Sequence, residues 1–391
     1  MTIASPHPKL ADDPRTHKRL QLNHRRNQQQ DHTALLDQAR QEFDYDACRD
    51  EYWNPEPLSL LYGTPLWDQA SPSQRVLLNQ LYWVAYYSQI ISAEIATIYF
   101  NQTSAAGLYA MDDFRLICDT LDLESSQERA HIDAFRTVSE QVEYELFGER
   151  IFSYAMRGPF AETMIHPDSN RLKEQWKSLQ PRSYGLLSAG NAFIACQYFT
   201  IRGLRTLNGK LVQHRLSRYY AEHADQDNAP VPSKISYYHF QDESFHFNSS
   251  MLISQDVLRS LPEPTAFEKL VSNMAIKGCQ RDHFHFSVAV NGIFWFDPSV
   301  LSPVYRLLRS DHFGFDHAGA LDMLQRCFGE ESEGLHESHA THQTALESYR
   351  KYLDGMDYVS EENRDMRIMA QSDLPGYLTR TRQALRHFGE A

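Results

Sequence analysis

Cysteine is scarce in this chain, and the few that occur stand apart: Cys48, Cys118, Cys196, Cys279 and Cys327 among 391 residues, with no CxxC pair. An odd number of widely spaced thiols argues against a disulfide framework and against a thiolate zinc site, leaving reduced, buried cysteines as the expectation. No run of about eighteen apolar residues occurs, so no transmembrane helix is expected. The first thirty residues carry charges and Gln where a secretory signal would have an apolar segment, which predicts a cytoplasmic location. Basic residues are in deficit, with 38 Lys and Arg against 51 Asp and Glu and a formal net charge of −13. Without a basic stripe to neutralise phosphates, neither nucleic acid nor a membrane surface is an expected partner. A glycine-rich phosphate loop, a GxSxG elbow and a Walker pattern are all missing. So are a repeat of fixed period and a useful length of alternating strand pattern.

What remains is an all-α chain of ordinary globular composition, 42% hydrophobic and 23% charged, with 21 Tyr and 21 Phe to build a core around an apolar pocket. Its length allows one large domain or two smaller ones. Residues 1–30 are polar and read as a mobile arm. Residues 31–265 read as a helical bundle, and 266–391 as additional helices, broken at Pro298, Pro303, Gly314 and 329–334. Ser71 or Ser73 is placed to cap a first long helix reaching Phe100, apolar nearly all round and therefore buried. A second, amphipathic helix is predicted over 111–147, followed by a connector at 158–181. A third starts near Ser183 and ends at Asn208-Gly209, where Gly can take the left-handed conformation. A short piece over 210–223 and the polar loop 225–233 lead to a fourth long helix, and a fifth follows Pro262 and Pro264.

The chemistry rests on a pattern of Glu and His. A dinuclear carboxylate site in a helical bundle takes one Glu from each of two helices and a Glu-x-x-His pair from each of the other two. The i, i+3 spacing puts both side chains of a pair on one helix face. Two such pairs are present, Glu128/His131 and Glu243/His246, the second directly preceded by Asp242. Glu94 stands upstream in the apolar first helix, where an unpartnered carboxylate is costly. The interval to Glu128 accommodates two antiparallel helices and a turn. His239 falls one turn before Glu243, so His239, Glu243 and His246 share a face among Tyr237, Tyr238, Phe240 and Phe245. One ExxH is weak evidence. Two on separate helices, in order behind an upstream Glu, are much stronger.

This order, Glu, then ExxH, then HxxxExxH, resembles the para-aminobenzoate N-oxygenase family of ferritin-like di-iron enzymes over roughly 58–261. That family has cyanobacterial relatives, the cylindrocyclophane-type dimetal halogenases, which act on unactivated alkyl carbons. The resemblance implies a ferritin-like fold with Glu94, Glu128, His131, His239, Glu243 and His246 as metal ligands, Glu128 and Glu243 bridging. It also implies a Glu in the third helix, and none occurs between Tyr184 and Gly209. Gln197, on the apolar face of that helix, is the residue read in its place. Gln213 and Glu222 are the weaker substitutes, lying beyond the Asn208-Gly209 break. An amide there removes one negative charge. That loosens one metal, or opens a position for a small anion such as chloride, or leaves Gln197 to hydrogen-bond a ligand.

The expected activity is therefore that of a non-haem O2-activating oxidoreductase, with Glu94, Glu128, Glu243 and Gln197 as the catalytic positions. Two iron ions are the first choice of cofactor, with manganese or a mixed pair as the alternative, and with O2 and chloride as co-substrates. Oxygenation of an amine or C–H bond is the leading reading. Halogenation of an alkyl carbon is the alternative, and iron storage the contrasting class, disfavoured by the additional helical half. The substrate is read as a small molecule, free or bound to a carrier protein, with an external electron donor and a homodimer as the assembly. His336, His339 and His342 read as an exposed helix face. His283, His285, His312 and His317 read as hydrogen-bonded core or surface histidines.

Overall fold

Helices dominate because long apolar stripes are bracketed by good caps. The computed structural model describes residues 10–109, 111–152, 172–222, 227–284 and 300–390. Its longer helices are α1 (Pro14–Gln29), α2 (Thr33–Glu42), α3 (Pro72–Leu108), α4 (Arg115–Phe147), α5 (Leu172–Ser188) and α6 (Ala192–Ala221). There follow α7 (Val231–Met251), α8 (Ala266–Asp282), α9 (Leu301–Arg309), α10 (His317–Gly329), α11 (Glu333–Leu353) and α12 (Leu374–Glu390). No strand occurs among the described residues. Ser71 starts α3 with a capping box to Gln74, and Pro72 supplies a preset first-turn backbone. Asn191 caps α6 by accepting from the Ile194 amide. Gly148 ends α4 in the left-handed conformation.

The core is a ferritin-like bundle of α3, α4, α6 and α7. Helices α3 and α4 pair antiparallel, as do α6 and α7, through apolar faces that include Tyr82, Trp83, Tyr86, Tyr87 and Phe135 on one side and Leu204 and Phe247 on the other. Burying each such large side chain contributes about 1.5–3 kcal/mol. The C-terminal helices cover the outside of α6: the Tyr352 ring of α11 lies against Gly203, where an added Cβ would come within 1.9 Å of its hydroxyl. No described helix is long and apolar enough to cross a membrane, and all five cysteines are free and buried.

Four expectations are revised. Most of the stretch read as a mobile arm is α1, packed on the bundle: Asn23 Nδ2 donates to the Phe245 carbonyl (3.2 Å) and to Ser249 (2.8 Å), and Asn27 is fully buried. The third helix does not end at Asn208-Gly209 but runs unbroken to Ala221. An internal Gly costs a helix about 0.5–1 kcal/mol, and burial of Val212 and Leu216 beyond it outweighs that. Of the expected connector 158–181, residues 158–171 lie outside the described residues, and the rest belongs to α5, which includes Pro181. In the 336–342 run, His342 is fully buried with Nε2 3.2 Å from the Met369 carbonyl. His283 is a buried, hydrogen-bonded core histidine as read, while His285 and Pro298 lie outside the described residues.

Arg202 of α6 ties the bundle together from inside. Its guanidinium donates to Glu124 of α4 (2.7 Å), Asn101 of α3 (3.0 Å), Ser250 of α7 (2.7 Å) and the His246 carbonyl (2.9 Å). Truncating one partner of a buried pair strands the other charge, at about 3–5 kcal/mol. Arg202→Met is expected to lower stability by about that amount in chemical denaturation. A loss under about 1 kcal/mol would show that the pair does not hold the bundle together.

Candidate metal centre

Three helices converge on one polar spot in this apolar interior. Glu94 comes from α3, Glu128 and His131 from α4, and His239, Glu243 and His246 from α7. Glu94 Oε1 lies 3.0 Å from His239 Nε2 and 3.5 Å from His131 Nδ1. Glu243 Oε1 stands 2.8 Å from His246 Nδ1, 3.7 Å from His239 Nε2 and 4.0 Å from His131 Nδ1. Glu128 turns one oxygen each way: Oε2 is 3.3 Å from His131 Nδ1 and Oε1 is 3.3 Å from His246 Nδ1. Two overlapping donor groups result, Glu94/His131/His239/Glu243 and Glu128/Glu243/His246, each with its ligand atoms within 4.8 Å of one another. Glu243 belongs to both.

The donor set fits a pair of divalent cations. Both oxygens of Glu94 and both ring nitrogens of His239 are buried without a well-directed hydrogen bond, a state that costs about 1–3 kcal/mol per group. Among the described residues, the ion pairs of these six side chains run only to imidazoles and carboxylates of the same cluster and to Asp242. Mixed imidazole and carboxylate ligation suits a redox-active first-row metal.

An outer layer orients two of the imidazoles, and here sequence reasoning fell short. His131 Nε2 donates to Asp242 Oδ2 (3.2 Å), and the other oxygen of Asp242 accepts from His32 Nδ1 (2.7 Å). His246 Nε2 donates to Gln127 Oε1 (2.9 Å), and Gln127 is clasped by Asn27 of α1 at 2.8 and 3.1 Å. Both rings are thereby fixed with Nδ1 toward the cluster. Asp242 is visible in the sequence beside Glu243. Nothing local there ties it to His32 or ties Asn27 to Gln127.

Among the described residues, α6, the third helix of the sequence reading, contributes no His, Cys, Asp or Glu to either donor group. Contacts along α6 set its register: the Ser104 hydroxyl meets the Ala195 carbonyl, Phe100 stacks on Tyr198, and Lys210 lies over Phe247. The level of Glu94 and Glu243 therefore corresponds to Thr206, Gly209 and Gln213, which lie on the inward face marked by Arg202 at about 100° per residue. Gln197 is turned about 140° from that face, three turns away from the level of the cluster, and lies near Tyr358. The reading of Gln197 as the substitute ligand is corrected on this ground, and Glu222 ends the helix as an exposed C-cap. Gly209 is buried, and a Cβ added there would meet only Gln213 Nε2, at 3.9 Å. The false helix end predicted at Asn208-Gly209 hid this position.

The family of acyl halogenases described as CylC-like matches residues 15–389. The chain belongs to the CylC-like acyl halogenase family. Comparison with curated proteins gives no match, and neither does comparison with solved structures. Membership makes the chain an enzyme of halogenase type, and it favours the halogenase alternative over oxygenation as the reading of its function.

In this CylC-like chain the cluster's electrostatics reflect burial set against close imidazoles. Burial pushes Glu94 up to about 8, against the pull of His131. Burial also works on Glu128, but His246 and His131 prevail and hold it well below the usual carboxylate range. Burial and neighbouring His131 bring His239 down to about 3. For His131 and His246 burial opposes protonation, yet the carboxylates around each ring raise both well above the ordinary value.

These shifts favour protons at Glu94, His131 and His246 of the metal-free protein near neutral pH, and an entering cation would displace them. Metal binding is expected to release protons and to weaken as pH falls, checked by titration calorimetry in buffers of different ionisation enthalpy. The same raised values stabilise the metal-free fold at low pH, and the Glu94 contribution is lost as pH rises from 4.5 to about 8. Calorimetric Tm of metal-free protein is expected to fall across that window, less so in Glu94→Gln. Equal slopes in the two proteins would remove Glu94 as a source.

Proposed function

We propose that this protein is a dimetal halogenase that replaces an unactivated C–H hydrogen of an acyl chain with chlorine. The observation that carries the reading is Gly209: where a fourth helix would present a carboxylate, this one presents a buried position with no side chain. Glu94, His131 and His239 would hold one metal ion, His246 the other, and Glu128 and Glu243 would span the pair. Iron is the first choice, and such a pair supplies dioxygen activation, with two electrons from an external donor.

The chain's own residues do the rest. Leaving out one carboxylate lowers the negative charge on the His246 side by one unit, and the space before Gly209 admits a halide where a carboxylate would repel it. Burial strengthens that electrostatic preference, because attraction between unlike charges grows as the effective dielectric constant falls. Tyr86, Tyr87 and Phe135 wall the Glu94 and His239 side, with Tyr87 and Phe135 ring centroids 5.7 and 4.9 Å from that of His239. They exclude water, which would otherwise divert an oxidising centre. Glu243, with 13% of its side chain exposed, is the most open of the six and marks the side from which substrate approaches.

The test is Gly209→Glu. With the metal-loaded enzyme, dioxygen, a reductant, chloride and acyl substrates offered as free acids and thioesters, wild type is expected to yield product with the chlorine isotope pattern. Gly209→Glu is expected to bind metal at least as well and to lose chlorination at least about 100-fold, as expected for removing a group that acts only in the reaction. Chlorination undiminished in that variant would rule out a halide seat at this position. Hydroxylated product alone from wild type at saturating chloride would return the oxygenase reading.

A further inference from the structure

We infer that the two halves of the centre are unequal by construction, with Asp242 and Gln127 as the positioning residues that make them so, and that the cations load in a fixed order. This rests on the proposed reading of the cluster as a dimetal site and goes beyond it in assigning the order and its cause. The half around Glu94 has two imidazoles, His131 and His239, and a carboxylate of its own beside the two shared ones. The half around His246 has one imidazole and, with glycine at position 209, only the shared carboxylates Glu128 and Glu243.

The outer layer widens the difference. His131 is backed by a carboxylate, Asp242, which is fully buried and held by His32. Its negative charge makes the His131 ring a stronger donor and fixes its tautomer. His246 is backed by Gln127, a neutral amide oxygen already shared with Asn27. Gln127 orients its ring without adding charge. Both supports are anchored outside the four-helix core, in α1 and the turn after it, so the N-terminal segment sets the strength of each half. The Glu94 half is the tight one that fills first, and the His246 half is the weak, exchangeable one, next to the space before Gly209.

Anaerobic titration of Co(II) into metal-free full-length protein, followed by its visible d–d bands, tests this. Wild type is expected to take up two cobalt ions in two steps at least about tenfold apart in affinity. Asp242→Asn is expected to weaken the first step about 10–100-fold and shift its bands while leaving the second in place. Gln127→Leu is expected to weaken the second step alone. His32→Gln reaches Asp242 from a residue with 19% side-chain exposure, so it keeps the question open if Asp242→Asn fails to fold; it is expected to weaken the first step in the same sense. Circular dichroism of the metal-free variants checks the fold. A single step of two equivalent ions, or variants that move both steps alike, overturns the inference and leaves the dimetal reading standing. Absence of any cobalt uptake by wild type overturns both.

Discussion

Glu243 sits between two imidazole-bearing groups and belongs to both, and much else in this molecule follows from burying Glu94, Glu128 and Asp242 beside it. Three buried carboxyl groups beside Phe135 and Tyr87 could not remain there as bare anions, since desolvation alone costs several kcal/mol for each. No Lys or Arg of the described residues pairs with them. Protons on Glu94, His131 and His246 hold the balance in the metal-free chain. Divalent cations do it better, because they also satisfy the orphaned atoms of Glu94 and His239.

That constraint explains features otherwise unrelated to catalysis. The polar α1 helix packs on the bundle by one face, because Asn23, Asn27 and the neighbouring His32 complete hydrogen bonds that the bundle leaves open. Arg202 and Glu124 form a separate buried pair one turn below the cluster and neutralise each other, which keeps a stray positive charge away from the metal level. On the opposite flank the filling is aromatic, with Trp53, Trp83, Tyr87 and Phe135 in edge and tilted contact.

Legibility in the sequence followed the same divide. The all-α class and the gathering of Glu94, Glu128, His131, His239, Glu243 and His246 were readable, because local spacing places such residues on one helix face and helix order brings the faces together. What escaped was whatever depends on register between distant segments. Asn208-Gly209 looks like a helix end by propensity, and tertiary burial on both sides overrode it. With the helix cut there, Gln197 looked central and Gly209 peripheral. The polar string of α1 looks solvated by composition, since no local pattern reveals that Asn27 faces Gln127 a hundred residues away. A missing side chain is the hardest signal to read, because glycine is mute about why nothing is there.

In the proposed reading the same glycine would link metal strength to choice of reaction. A carboxylate from the fourth helix would tighten the His246 half and fill the space beside it. On the proposed reading its omission would weaken that half and open it together, so a loosely held ion and a seat for an exogenous anion would be two consequences of one backbone position. A halide competing with water for that seat gains from low local dielectric and from the loss of one fixed negative charge. The more strongly supported Glu94 half would meanwhile keep the pair anchored. On this view the asymmetry is the physical condition that lets a scaffold built for oxygen chemistry hold a halide long enough to transfer it.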